Sequence, residues 1–234
     1  MDENACILYF TRTPSEESRH KRISNRPRRN NRLIYLMYHW TKACIRRSQI
    51  PIVELTQHAQ RGESFGERLT NSILEAFARG YENVIVVGND CPHLQVQDLR
   101  QAEQSLLAGQ QVLGQNTRGG AYLIGVSRRN FCSQSFKNLP WNSPFLCEAL
   151  HGHLASKGGC ISLMVRQDVN DPLDLSILLR SHLVPRLLRG LCANREDVEP
   201  ESSSGFLNWI PDSNPFRGPP QHVRAYNLAW CLRN

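Results

Sequence analysis

The sequence predicts an α/β layer fold with a largely parallel sheet, and three observations predict it. Short apolar runs alternate with amphipathic segments up to about residue 190. The runs are almost continuously apolar, as in VIVV (84–87), the pattern of strands buried on both faces. Helical stretches are punctuated at their ends by capping residues, prolines and glycines.

In chain order, ACILYF (5–10) is the first strand, a helix follows over 31–47 from its apolar periodicity, and IPIVEL (50–55) is the second strand. SFGERLTNSILEAFARG (64–80) is a helix: Ser64 and Glu67 form a capping box, Phe65, Leu69, Ile73 and Phe77 recur every four residues, and Gly80 suits the position after the end. NVIVVG (83–88) is the third strand, then come a helix over 98–108 and the strands QVLGQ (111–115) and AYLIGV (121–126). SPFLCEALHGHLASKG (143–158) is a helix with Ser143 as N-cap, Pro144 first and Gly158 after the end. ISLMV (161–165) is the last strand, and DPLDLSILLRSHL (171–183) the last helix, with Asp171 as N-cap.

With 234 residues the chain can bury one large core, so residues 1–189 are expected to form one domain. Residues 190–234 lose periodicity in EDVEPESSSGF and PDSNPFRGPP and are expected to be a docked or partly disordered tail, Trp209 and Trp230 favouring docking. The eight cysteines lie scattered, with no C-x-x-C pair, which argues against zinc and for reduced thiols. No apolar stretch approaches the roughly 18 residues of a membrane span, and the start MDENACILYF is acidic, so a cytoplasmic protein is expected.

Charge is unevenly placed. Residues 12–47 hold eleven Lys or Arg against Glu16 and Glu17, an excess larger than the net +7 of the whole chain. Such a segment suits nucleic acid, a membrane surface or a phosphorylated small molecule, or is simply a solvated face. No nucleic-acid motif and no basic strand interleaved with aromatics accompanies it, which argues against nucleic acid.

Asn89 and Asp90 stand where the third strand stops. In open α/β sheets ligands bind outside the carboxyl ends of the strands, and a carboxylate there suits Mg²⁺ or Mn²⁺ bridging to phosphates. A turn-capping role into Cys91-Pro92 is the alternative.

Read together, QRGESFGERLTNSILEAFARGYENVIVVGNDCPHL, VLGQNTRGGAYLIGV, LPW and DVNDPLDL resemble the selenodomain-associated transferase family. Its pattern runs Q-x-G, G-E-R, G-[SN]-D-C-P, D-G-G-x-Y-L-[IL]-G and D-V-D-T-P-x-D-L, and the likeness covers roughly residues 5–180. The resemblance implies a three-layer α/β/α fold of the glycosyltransferase-A, nucleotide-diphospho-sugar transferase type, with a mostly parallel mixed sheet.

It further implies a metal-dependent glycosyltransferase that takes a nucleoside-diphosphate sugar and an acceptor the sequence does not identify. Asp90 would help bind Mg²⁺ or Mn²⁺, with Asn170 as second ligand and Asp168 beside it. Arg12, Lys21 and Arg22, in the loop TRTPSEESRHKRI after the first strand, would lie near phosphates. Asn89, Arg118, Gly119, Gly120, Trp141 and Asp168 would line the substrate pocket, Trp141 equally serving as packing.

Two departures stand out. Much of the family has P-x-P-G-x-x-K-T-R-L where this chain has a glycine-free Pro14-Ser-Glu-Glu-Ser-Arg-His-Lys21, and D-G-G is replaced by Arg118-Gly119-Gly120. The lost aspartate would alter acceptor recognition or proton transfer, or Arg118 would pair with a phosphate. A nucleotidyltransferase of the same fold and a noncatalytic nucleotide-binding relative are the alternative functions. RPRRNNR (26–32) reads as solvated or disordered.

Overall fold

The computed structural model describes residues 4–180, so the expected tail at 190–234 and the domain boundary at 189 lie outside the described residues. Among the described residues the order is β1 (Ala5–Phe10), α1 (Pro14–His20), α2 (Pro27–Ser48), β2 (Ile52–Leu55), α3 (Phe65–Ala78), β3 (Asn83–Val87) and α4 (Val96–Leu107). There follow β4 (Gln111–Gln115), β5 (Ala121–Ser127), a 3-10 turn at Arg128–Asn130, α5 (Ser133–Lys137), α6 (Leu146–Ala155), β6 (Cys160–Ser162) and α7 (Pro172–Arg180).

The six strands make one sheet in the order β2-β1-β3-β5-β4-β6. β1 pairs in parallel with β2 and β3, β4 pairs in parallel with β6, and β5 lies antiparallel to both β3 and β4. β5 alone reverses direction, so the sheet is mixed and mostly parallel, as expected.

Alternation along the strands builds two cores. Cys6, Leu8, Phe10, Val84 and Val86 face one side, where Leu69, Ile73 and Phe77 of α3, Phe136 of α5 and Leu150 of α6 cover them. Ile7, Tyr9, Ile85 and Val87 face the other, under Tyr38, Cys44 and Ile45 of α2 and Leu99, Ala102 and Leu106 of α4. Each such side chain removed from water contributes roughly 1.5–3 kcal/mol, which is what holds three layers together. A third cluster joins Ile23, Leu33, Ile34 and Met37 to Val169, Leu175 and Leu178, tying α7 and the segment before it to the start of α2. No helix of the described residues is long and apolar enough to cross a membrane.

The α3 capping box forms as expected, with Glu67 N–H donating to Ser64 Oγ at 3.1 Å and Gly80 in the left-handed region at φ 98°. Four expectations are revised. RPRRNNR is the helical start of α2, with Pro27 in its first turn, and Arg26, Arg28 and Arg32 remain exposed. The loop after β1 contains a helix, α1, because Glu17, Arg19 and His20 follow Pro14 in good helical order. α6 begins at Leu146, since Asn142 takes φ 69° and Ser143 Oγ accepts from Phe145 N–H in a tight turn before it. β6 ends at Ser162 at the sheet edge, where Met164 and Val165 are exposed.

Candidate functional site

The topology carries the polar ends of several elements to one edge. β1, β3, β4 and β6 all finish there, and the antiparallel β5 starts there, so residues 11–22, 88–91, 116–120 and 166–171 become neighbours. This is the edge at which open α/β sheets bind ligands.

Asp90 sits in the turn after β3, and Lys21, at the C-terminal end of α1, donates from Nζ to its Oδ1. The two side chains are only 8% and 9% exposed. Local hydrogen bonds hold both partners in place. Asn30 of α2 donates to Lys21 O at 2.9 Å and accepts from Ile23 N–H at 2.8 Å, while Lys21 N–H caps Glu17 O. Asp90 O accepts from Val169 N–H at 2.8 Å, which brings Asp168 and Asn170 beside it.

Asp168 is buried, and its Oδ2 accepts from Asn116 Nδ2 at 2.5 Å. Its Oδ1 is buried with no partner among the described residues. Burial first, and the neighbouring charge of Asp90 second, push its carboxyl up to about 7. Glu17 is also pushed up, by burial and then by Asp90. Burial works against the Lys21 ammonium, but Asp90 and then Glu17 outweigh it and hold the charged form. Two buried carboxylates and the half-buried Glu17 therefore act on one ammonium. The Arg12 guanidinium approaches only to 3.9 Å of Glu17, and its Nη1 is buried without a hydrogen-bond partner among the described residues.

The structure brings Asp90, Lys21, Arg12, Asp168 and Asn170 together. Asn89 is buried in the same turn. Asn170 N–H donates to Asp174 Oδ2 at 2.9 Å, and its Nδ2 is buried without a partner among the described residues; the amide turned end for end presents Oδ1 in that place. Arg22 is exposed and joins none of these contacts.

Four expected pocket residues take part in local contacts. Arg118 spans Asp171 at 2.8 Å and Asp174 at 2.7 Å, so its guanidinium braces the start of α7. Asp171 Oδ1 accepts from Asp174 N–H at 2.9 Å, the capping role read from the sequence. Gly120 N–H donates to Asn116 Oδ1 at 2.7 Å, and a Cβ on Gly120 would stand 2.7 Å from Asn116 Nδ2, so its missing side chain makes room for Asn116. Gly119 takes φ 80°, which suits glycine in this turn. Trp141 packs edge-on against Phe65 and Phe136 and donates from Nε1 to Phe136 O at 3.1 Å, a packing role.

Sequence reasoning missed Glu17 and Asn116. Asn116 bore the same signal as Asp90, a polar residue where an apolar strand stops, and Glu17 lay in the segment read as a phosphate loop.

A divalent cation fits this donor set in one respect and meets an obstacle in another. The unpartnered Asp168 Oδ1 and the excess of buried carboxylate over cation invite positive charge. Among the described residues no three His, Cys, Asp or Glu converge closely enough to hold an ion unaided. Mg²⁺ commonly takes one or two carboxylates and completes its shell with phosphates and water, so Asp90 and Asp168 suffice if a phosphate ligand is present. The obstacle is the Lys21 ammonium on Asp90.

A family model described as "Uncharacterized protein conserved in bacteria (DUF2064)" matches residues 28–143, a span that includes Asp90, Asn116 and Trp141 but neither Lys21 nor Asp168. No curated protein matches the chain. Among solved structures, a provisionally assigned nucleotide-diphospho-sugar transferase from Desulfovibrio desulfuricans G20 superposes with a TM-score of 0.65 at 21% identity, covering 77% of this chain and 87% of that one. A Mycobacterium sp. strain JC1 homologue of Mycobacterium tuberculosis rv0371c gives a TM-score of 0.43 at 11% identity, covering 82% of this chain and 98% of that one. CMP:2-keto-3-deoxy-manno-octonic acid synthetase, solved with CTP, gives 0.39 at 15% identity, covering 75% and 96%. The first likeness establishes the nucleotide-diphospho-sugar transferase type of fold.

Proposed function

We propose that this chain is a transferase that binds a nucleoside-diphosphate sugar across the carboxyl edge of its sheet and passes the sugar to an acceptor. One observation carries the reading: at that edge two buried carboxylates, Asp90 and Asp168, and the half-buried Glu17 act on the single ammonium of Lys21, with Asp168 Oδ1 and Arg12 Nη1 left open. Buried polar atoms are almost always satisfied, so open ones at a ligand edge indicate groups reserved for a ligand.

In this reading Arg12 and Lys21 bind diphosphate oxygens, the guanidinium presenting paired donors and the ammonium a point charge. Asp90 and Asp168, with Asn170 beside them, would hold Mg²⁺ or Mn²⁺. The ion would neutralise charge gathering on the leaving diphosphate. Asn116 fixes Asp168 through Oδ2 so that Oδ1 points free, and Gly120 and Arg118 N–H in turn fix Asn116. The bond from the sugar carbon to the diphosphate breaks, a bond to an acceptor hydroxyl oxygen forms, and the hydroxyl proton passes to solvent as the nucleoside diphosphate leaves.

Calorimetric titration with UDP, GDP, CDP and ADP, with Mn²⁺ present, on wild type and Asp90→Ala tests the reading. One base should bind, and the substitution should weaken it by at least about tenfold, the effect of losing roughly 1.4 kcal/mol. No binding of any of the four to folded wild type would overturn it. Release of pyrophosphate from a nucleoside triphosphate and a sugar phosphate would instead assign a nucleotidyltransferase.

A further inference from the structure

We infer that Lys21 and a divalent cation exclude one another at Asp90, so that the ion binds together with a phosphate that takes Lys21 over. The inference rests on the donor-binding reading above and adds an order of events to it. The Lys21 ammonium lies on Asp90 Oδ1, an oxygen of the carboxylate proposed to hold the ion, and the pair is nearly closed to solvent. An ion on the same carboxylate would stand within a few ångströms of that ammonium, where two cations in a partly buried site repel strongly.

The backbone on either side makes exchange a side-chain event. Asn30 and Glu17 O pin residue 21, and Val169 N–H pins the Asp90 turn, so neither chain segment must move. The four-carbon stem of lysine lets Nζ swing while its backbone stays fixed. A displaced ammonium needs a new anion, because leaving it buried and unpaired is costly. Glu17 is close enough to be felt by it, and the diphosphate of a donor supplies the rest. Lys21 is thus a resident cation that keeps Asp90 neutralised in the absence of donor and makes ion binding depend on phosphate.

The test is Mn²⁺ binding, read from the loss of the free-ion electron paramagnetic resonance signal, for wild type, Lys21→Met and the double variant Lys21→Met with Asp90→Asn. Without nucleotide, Lys21→Met should bind Mn²⁺ at least about tenfold more tightly than wild type, and the Asp90 substitution should remove that gain. Adding whichever nucleoside diphosphate binds should raise wild-type Mn²⁺ affinity by a similar factor. Equal Mn²⁺ affinities of wild type and Lys21→Met without nucleotide would overturn the inference. Should Lys21→Met fail to fold, wild type still decides: one Mn²⁺ bound without nucleotide as tightly as with it, and lost in Asp90→Asn, overturns it too. Failure of every nucleotide to bind would sink the donor reading while the nucleotide-free comparison still decides the exclusion.

Discussion

Two buried cation–carboxylate pairs are built differently in this molecule. Arg166, in the segment after β6, faces Asp98 in the first turn of α4 with two nitrogen–oxygen distances of 2.7 Å, both side chains 6% exposed. Asp98 also accepts from Gln95 N–H at 2.9 Å. Its carboxylate is saturated by a planar fork and a helix start. Lys21 meets Asp90 through one contact, with Glu17 and Asp168 crowding in and two polar atoms left open. Similar burial therefore serves two ends. The first pair meets through a two-point fork, whereas the second meets through one contact beside open polar atoms of its neighbours, the arrangement that the proposed ligand would use.

Removing one cation from each pair should break the symmetry most visibly. Arg166→Met leaves Asp98 buried and uncompensated, and should cost about 3–5 kcal/mol in urea unfolding. Nucleotide affinity of the protein that remains folded should change little. Lys21→Met should cost less, under about 2 kcal/mol, because Glu17 and Asp168 are already held toward their protonated forms and can shed charge. Its main effect should be on ligand binding. The reverse ranking would reject the division of labour between the two pairs.

The same division should appear in opposite responses to pH. Asp168, with its folded pKa raised from 3.8 to about 7, favours the native state while protonated, so its contribution is full below about pH 4 and is lost as pH rises through 7. His93, lowered from 6.5 to about 4 by burial and then by Arg166, is held neutral, so its contribution is full above 6.5 and is lost as pH falls through 4. In EDTA-containing buffer, Asp168→Asn should flatten the loss of stability between pH 5 and 7 by about 1 kcal/mol per pH unit. His93→Asn should flatten the opposing loss on the acid side. Parallel pH profiles of wild type and both variants would show that neither group is held as described.

The fold was legible because its signals are local. Apolar runs placed all six strands to within three residues at each end, and capping residues placed α3 at once. Asp90 was legible for the same reason, as a polar residue ending a buried strand. What the residues themselves hid was partnership. Nothing at Lys21 announces that its ammonium will reach a residue 69 positions away, nor at Asn116 that it will hold Asp168 across 52. Arg118 shows the limit most plainly. Its place before Gly119-Gly120 suggested a phosphate, but the start of α7 lies nearer and carries two carboxylates.

Arg118 also supplies the smallest and most discriminating test. Its pair with Asp171 is open to water, Asp171 being 40% exposed, and such contacts contribute little. Its pair with Asp174 is better sheltered, Asp174 being 4% exposed, but Asp174 also accepts from Asn170 N–H and can take up a proton as burial already favours. Arg118→Ala should therefore cost only about 1 kcal/mol of stability. Nucleotide affinity should fall by less than about threefold, because the guanidinium is spent on α7 and not on the open atoms of Asp168 and Arg12. A tenfold loss of affinity at unchanged stability would move Arg118 from the brace to the ligand site. Asp171→Asn, which loosens the brace but keeps the Asp174 pair, then serves as the control: it should leave affinity unchanged if Arg118 is structural, and raise it if Arg118 is released toward phosphate.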